Sequence, residues 1–180
     1  MTTLRTPRLL LAPPRVVDIP TIVEYAGNPK VSRYTRNIPH PYEEKDAIFW
    51  LHHANTGWAS GEACVFSIRD GETEAFLGGI GLLINKSVNV AELGYWLAEP
   101  FWGKGYVTEA VGAILRYGFT EVGLRRVRAH HMVVNEASGK VMLNNGMQQE
   151  GYLRQEMFRD GVAHDVKVYG ILQEEFLGAL

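Results

Sequence analysis

Two glycines placed just ahead of a helix are the residues in this chain best suited to chemistry. Gly103 and Gly105 follow the strand-like run from Val90 to Leu97. They stand directly before a helix-periodic stretch with apolar Val107, Val111, Ile114, Leu115 and Phe119. A helix N-terminus offers unpaired backbone N–H groups and a positive dipole end. Glycine lets a ligand approach the backbone with no Cβ in the way. The combination suits an anion such as a pyrophosphate. An ordinary strand-to-helix turn would use Gly-Lys-Gly just as readily. Two nucleotide patterns are excluded. Thr108 stands where the dinucleotide fingerprint needs its third glycine, and no G-x-x-x-x-G-K-[ST] run occurs.

Glu92 is the next candidate. Period-two alternation puts Glu92, Gly94 and Trp96 on one face of the strand and Leu93, Tyr95 and Leu97 on the other. A carboxylate in a central strand must be solvated or paired. Such a group suits a general base; a glutamate that only shapes a wet pocket fits the pattern equally. Asn135 and Ser138 form a third group. Asn135 reads as a helix N-cap, with Ser138 in the first turn three residues on.

The elements that position these residues follow from apolar periodicity and turn punctuation. Arg8 to Leu11 reads as a strand stopped by Pro13-Pro14. Asp18 caps a helix through Ile22, Val23 and Tyr25, and a second helix starts near Tyr42. Strands follow at Ala63 to Arg69, Phe76 to Ile84 and Val90 to Leu97. After the helix that Gly103 and Gly105 open come a strand from Arg126 to Val134, a helix from Asn135 to Gly146, and strands at Gly151 to Phe158 and Val166 to Leu172. Strands that both alternate with helices and run in hairpins predict a mixed α/β (α+β) sheet with helices on its faces.

The 180 residues suit one domain, 1–180, and neither a repeat nor a linker interrupts them. A net charge of −2, without basic runs, argues against nucleic acid or a membrane surface as partner. The single cysteine, Cys64, alternates with Phe66 and Ile68 and reads as core. With no disulfide possible and no leader-like start, a cytoplasmic protein is expected. The histidines, including the pairs His52-His53 and His130-His131, lack ligand spacing, so no metal is expected. His131 or His164 could still line a pocket. Arg125, Arg126 and Arg128 read as a solvated face.

The run G-Y-W-L-A-E-P-F-W-G-K-G-Y-V-T-E-A closely resembles the acetyl-CoA signature of the RimJ/RimL-like branch of the GNAT N-acetyltransferases. N-E-A-S-G-K-V-M-L-N-N-G-M-Q-Q-E-G resembles the second signature of that branch, and the opening T-P-R-L-L-L is also typical of it. The matches come in family order and span nearly the whole chain. Pro100 stands where the superfamily often has Gln or Arg, a position often relaxed in this branch. Leu143, Asn144 and Met147 also depart from the usual residues, at positions that bear on packing and surface near the cofactor more than on chemistry.

The resemblance implies a GNAT fold, a mostly antiparallel twisted sheet of six to seven strands with about four helices. It implies acetyl-CoA as cosubstrate and a primary amine as acceptor. Backbone amides from Trp102 through Gly103, Lys104, Gly105 and Tyr106 to Val107 would hold the pyrophosphate, with Thr108 beside them. Lys104 would add charge or remain a solvated loop lysine. The main chain at Trp96 and Leu97 would pair with the pantetheine arm, and an N–H near Leu97 would polarise the thioester carbonyl. Asn135 would bond coenzyme A, Ser138 would serve the departing sulfur as general acid or orient the thiolate, and Glu92 would be the base. The acceptor is a protein or peptide N-terminal α-amine, or a small molecule such as an amino acid, polyamine or aminoglycoside. A non-catalytic acyl-CoA-binding module is the third reading. A monomer or homodimer is expected.

Overall fold

The computed structural model describes residues 2–178. Among these, eight strands form one sheet: β1 (Leu4–Arg5), β2 (Leu9–Ala12), β3 (Ala63–Asp70), β4 (Phe76–Asn85), β5 (Val90–Leu97), β6 (Arg126–Met132), β7 (Gln148–Arg159) and β8 (Val162–Leu172). Their spatial order is β1-β2-β3-β4-β5-β6-β8-β7. Every neighbouring pair is antiparallel except β5 and β6, which run parallel. The helices are α1 (Ile19–Ala26), α2 (Pro29–Ser32), α3 (Glu44–Ser60), α4 (Tyr106–Thr120), α5 (Glu136–Asn144) and α6 (Gln173–Gly178).

The mixed, mostly antiparallel sheet agrees with the sequence reading, but the counts exceed it. β1 is two residues long, too short for any periodicity to show. α2 is a single turn, and α6 begins where β8 was read as ending. β7 and β8 extend beyond their expected spans, and their pairing is irregular between Leu153 and Met157. The stretch after Met132 leaves β6 to reach the Asn135 cap.

α4 buries Ala110, Val111, Ile114, Leu115, Gly118 and Phe119, the stripe its periodicity predicts, against Leu82, Leu93 and Val127 of the sheet. α3 covers the other face with Ala47, Leu51, Ala54 and Gly57. Its approach to β3 requires glycine at position 57, because a Cβ there would lie 2.6 Å from Ala63 Cβ. Cys64 is buried in the core, as read.

Asp18 does not cap α1 with its side chain. Its carboxylate pairs instead with Arg69, which is 2% exposed, and accepts the Arg15 N–H at 3.2 Å. A buried guanidinium needs a counter-charge more than a helix end needs a cap.

Candidate active site

β5 and β6 part company early. Their pairing covers Val90↔Arg126, Ala91↔Val127 and Glu92↔Arg128 and then stops, although both strands continue. On the β4 side, Ala98 N–H bonds Leu77 O at 2.9 Å, one step beyond the Leu97↔Gly78 pair. Alternation along that ladder turns the N–H and C=O groups of Leu93, Tyr95 and Leu97 toward the opening. An exposed strand edge of this kind is a template for an extended ligand that carries amide groups. The Leu97 carbonyl is partly spoken for, accepting from Trp102 Nε1 at 2.7 Å.

The glycine loop lies at the end of this opening. Gly103 and Gly105 have φ of +73° and +76°, which glycine alone adopts without strain. Among the described residues, no protein acceptor meets the N–H groups of Gly103, Lys104, Gly105, Tyr106, Val107 or Thr108. Six successive orphan donors at a helix start fit a pyrophosphate. Trp102, expected to open this run, stands outside it, because its N–H bonds Glu99 O at 3.1 Å. Lys104 Nζ lies 5.6 Å over the Phe101 ring, and no carboxylate pairs with it among the described residues. The Thr108 carbonyl accepts from Asn145 Nδ2 at 3.2 Å, which ties α4 to the end of α5.

A strut that the sequence reading missed holds the loop in place. Glu109 accepts from Thr6 Oγ1 at 2.6 Å, from Arg8 N at 2.9 Å and from Arg8 Nε at 2.7 Å. Arg8 also donates to Lys104 O at 2.9 Å and lies 4.8 Å over the Tyr106 ring. Burial raises the Glu109 pKa, but the bonds from Thr6 and Arg8 outweigh it and hold the carboxyl below its usual range. The T-P-R opening was the available signal, though nothing in its spacing showed where it would dock.

Ser138 and Asn135 meet as expected: Asn135 Oδ1 accepts the Ser138 N–H at 3.3 Å. The Ser138 hydroxyl lies 2.8 Å from Tyr95 OH. Tyr95 was indistinguishable from other tyrosines in the sequence, but here it is the one beside Ser138. Burial pushes its phenol up to about 12, against the opposing effect of the Ser138 bond.

Glu92 lies on the opposite face, as alternation predicted, but it is not alone. Its Oε2 is 3.0 Å from Arg128 Nη2 and its Oε1 is 3.6 Å from His130 Nδ1. Trp96 shares that face, where its side chain packs against Trp50 and Phe76 and away from the glycine loop. Arg125 and Arg128 are exposed, as expected of a solvated face, though Arg125 Nε donates to Val88 O and the half-buried Arg126 pairs with Glu150. His131 does not line a pocket. It is buried against α5, with Nδ1 2.7 Å from Met132 O and Nε2 3.3 Å from Tyr169 OH. His164 is half-buried on β8. No group of three or more potential metal ligands converges among the described residues. No helix there is long and apolar enough to cross a membrane.

Comparison with known proteins follows the same lines. A family model described as an acetyltransferase (GNAT) domain matches residues 8–148. The chain is 32% identical to the uncharacterized N-acetyltransferase p20 of Bacillus licheniformis over 179 residues, 99% of this chain and 100% of that one. It is 28% identical over 107 residues to the ribosomal protein uS5-alanine N-acetyltransferase of Escherichia coli (strain K12), covering 58% of this chain and 55% of that one. The structure resembles spermidine N-acetyltransferase from Vibrio cholerae, solved with CoA and spermine, with a TM-score of 0.83. That match has 25% identity and covers 96% of this chain and 99% of the other. The chain belongs to the GNAT family and is an acetyltransferase of the branch that includes the ribosomal-protein alanine enzymes.

Proposed function

We propose that this protein transfers an acetyl group from acetyl-CoA to the α-amine of a protein or peptide N-terminus. The observation that carries this reading is the opening between β5 and β6, which ends on the six orphan N–H groups from Gly103 to Thr108. These residues would receive the pyrophosphate. The edge formed by Leu93, Tyr95 and Leu97 would bind the amide-bearing arm, and the Leu97 N–H would polarise the thioester carbonyl. Asn135 would add a polar contact from α5.

Alternation assigns a task to each face of the opening. Tyr95 on β5 and Ser138 on α5 meet on one face, where a proton is needed on the departing sulfur. Glu92 faces the other way, where an ammonium must lose a proton before its nitrogen can attack. Opposite placement lets both proton transfers proceed without crossing.

The charges around Glu92 bear on the acceptor. Arg128 and Arg36 offset Glu92 and Glu156 there, so the face carries no acidic excess to hold a polycation. That favours a singly charged α-amine over a polyamine, and the likeness to the uS5-alanine enzyme supports the same choice. The spermidine enzyme keeps a polyamine as the second reading. The test is thiol release from acetyl-CoA with three acceptors: a short peptide with a free N-terminal alanine, spermidine, and a free amino acid. The peptide is expected to turn over fastest. Faster turnover of spermidine would move the assignment to polyamines, and no release with any of them would favour a binding module.

A further inference from the structure

Gly94 and His130 each lie two residues past the last β5–β6 pair, on the two strands that border the opening. Continuing the β5–β6 register two residues past Glu92↔Arg128 brings Gly94 level with His130. A Cβ at Gly94 would meet nothing within 4 Å, so there is open space over Gly94 on the Glu92 face. His130 lies on the Glu92 face, two residues from Arg128, with its side chain 23% exposed. Its Nδ1 is 3.6 Å from Glu92 Oε1, while Nε2 makes no hydrogen bond to protein among the described residues. Glu92 is meanwhile committed on Oε2 to Arg128.

We propose that His130 takes the proton from the acceptor amine and that Glu92 acts behind it as a positioning residue. This rests on the acetyltransferase site described above. A proton on Nδ1 faces the Glu92 carboxylate and leaves the Nε2 lone pair for the amine. Nε2 removes one proton from the ammonium and passes it to solvent. The freed nitrogen lone pair forms the bond to the acyl carbon. The carbon–sulfur bond breaks and its electron pair leaves with sulfur. Ser138 Oγ gives its proton to that sulfur and is reprotonated from solvent, while the second amine proton leaves by way of His130. Glu92 stabilises the imidazolium that forms between these events.

The charged groups facing the ring are Glu92 on β5, Arg128 on β6, Arg36 from the segment after α2, and Glu156 on β7. From β8 its paired neighbour is the uncharged Val168. Burial, aided by Arg36 and Arg128, outweighs the two glutamates and holds the imidazole below its ordinary value. That direction favours the neutral ring, the form able to accept a proton.

The test uses the full chain, acetyl-CoA and whichever of the three acceptors above turns over fastest. His130→Gln should lower kcat/KM at neutral pH by about 10²–10⁴-fold, the usual range for a general base. The thermal shift given by acetyl-CoA should persist, showing that the variant is folded and binds the donor. The deficit should shrink as pH rises and more amine is neutral unaided. In His130→Ala, added imidazole should restore part of the rate; it should do nothing for Glu92→Gln. A His130→Gln protein with wild-type kcat/KM would overturn the proposal. Collapse in Glu92→Gln alone would return the base to Glu92 and leave the acetyltransferase reading intact. A wild-type protein that shows neither a thermal shift with acetyl-CoA nor thiol release would overturn both.

Discussion

At the scale of single residues, the pairing of Tyr95 with Ser138 has the clearest consequence. A phenol pushed up to about 12 stays protonated across the working range and keeps Ser138 Oγ hydrogen-bonded. Ser138→Ala should lower kcat with a deficit that does not vanish at high pH, because it acts on departure of the thiolate. Its helix should survive, since Asn135 Oδ1 still accepts the backbone N–H at 138. Tyr95→Phe keeps the packing of the ring and loses only the hydroxyl. We expect a smaller drop in kcat there, with KM for acetyl-CoA unchanged. Unaltered kcat in Tyr95→Phe would reduce Tyr95 to packing. Ser138 was legible in the sequence because its motif fixes its place in α5. Tyr95 and His130 were not, because their roles arise only when β5 parts from β6 and α5 closes over one side.

At the scale of elements, the glycine loop and its strut belong together. Gly105 sits at φ +76°, and a Cβ there would lie 3.5 Å from Arg8 Nη2, an ordinary contact. A side chain at 105 therefore acts through backbone strain more than through lack of room. Gly105→Val should cost about 1–3 kcal/mol of stability in urea unfolding, as left-handed non-glycine residues do. Gly105→Asn should cost less, since asparagine tolerates this region. Equal losses in the two would show that backbone strain is not the cause. The strut adds a pH dependence with a defined sign. The Glu109 pKa is lowered on folding, so its contribution is complete above the unfolded value of about 4.3 and is lost as pH falls through the folded value. Glu109→Gln should thus be less stable than wild type at neutral pH, and the gap in urea midpoint should close in strong acid. A gap that persists there would assign the effect to packing. The loop itself was visible in the sequence as two glycines before an apolar stripe. The strut was not, because Thr6 and Arg8 lie about a hundred residues from Glu109 and no local period links them.

At the scale of the whole molecule, the sheet separates two working faces and an ion pair anchors one of them. Arg69 is tied to Asp18 ahead of α1, and also donates to Glu74 O at 3.1 Å. Arg69→Met would leave Asp18 buried without its counter-charge. Breaking such a pair costs about 3–5 kcal/mol, which urea unfolding should register. A near-neutral result would mean that Asp18 finds another partner or simply protonates. The sheet class was legible because its strands alternate with helices and run in hairpins. The early parting of β5 and β6 was not, since both strands keep their apolar pattern past Glu92. That opening makes the most direct test one of place: amide hydrogen exchange with and without saturating acetyl-CoA. Binding should slow exchange at Gly103 to Thr108 and at Leu93, Tyr95 and Leu97, while amides on the outer edge of β7 stay unchanged. Protection confined to some other surface, such as the groove between Arg5, Arg116 and Phe176, or no protection at all, would contradict the site described here.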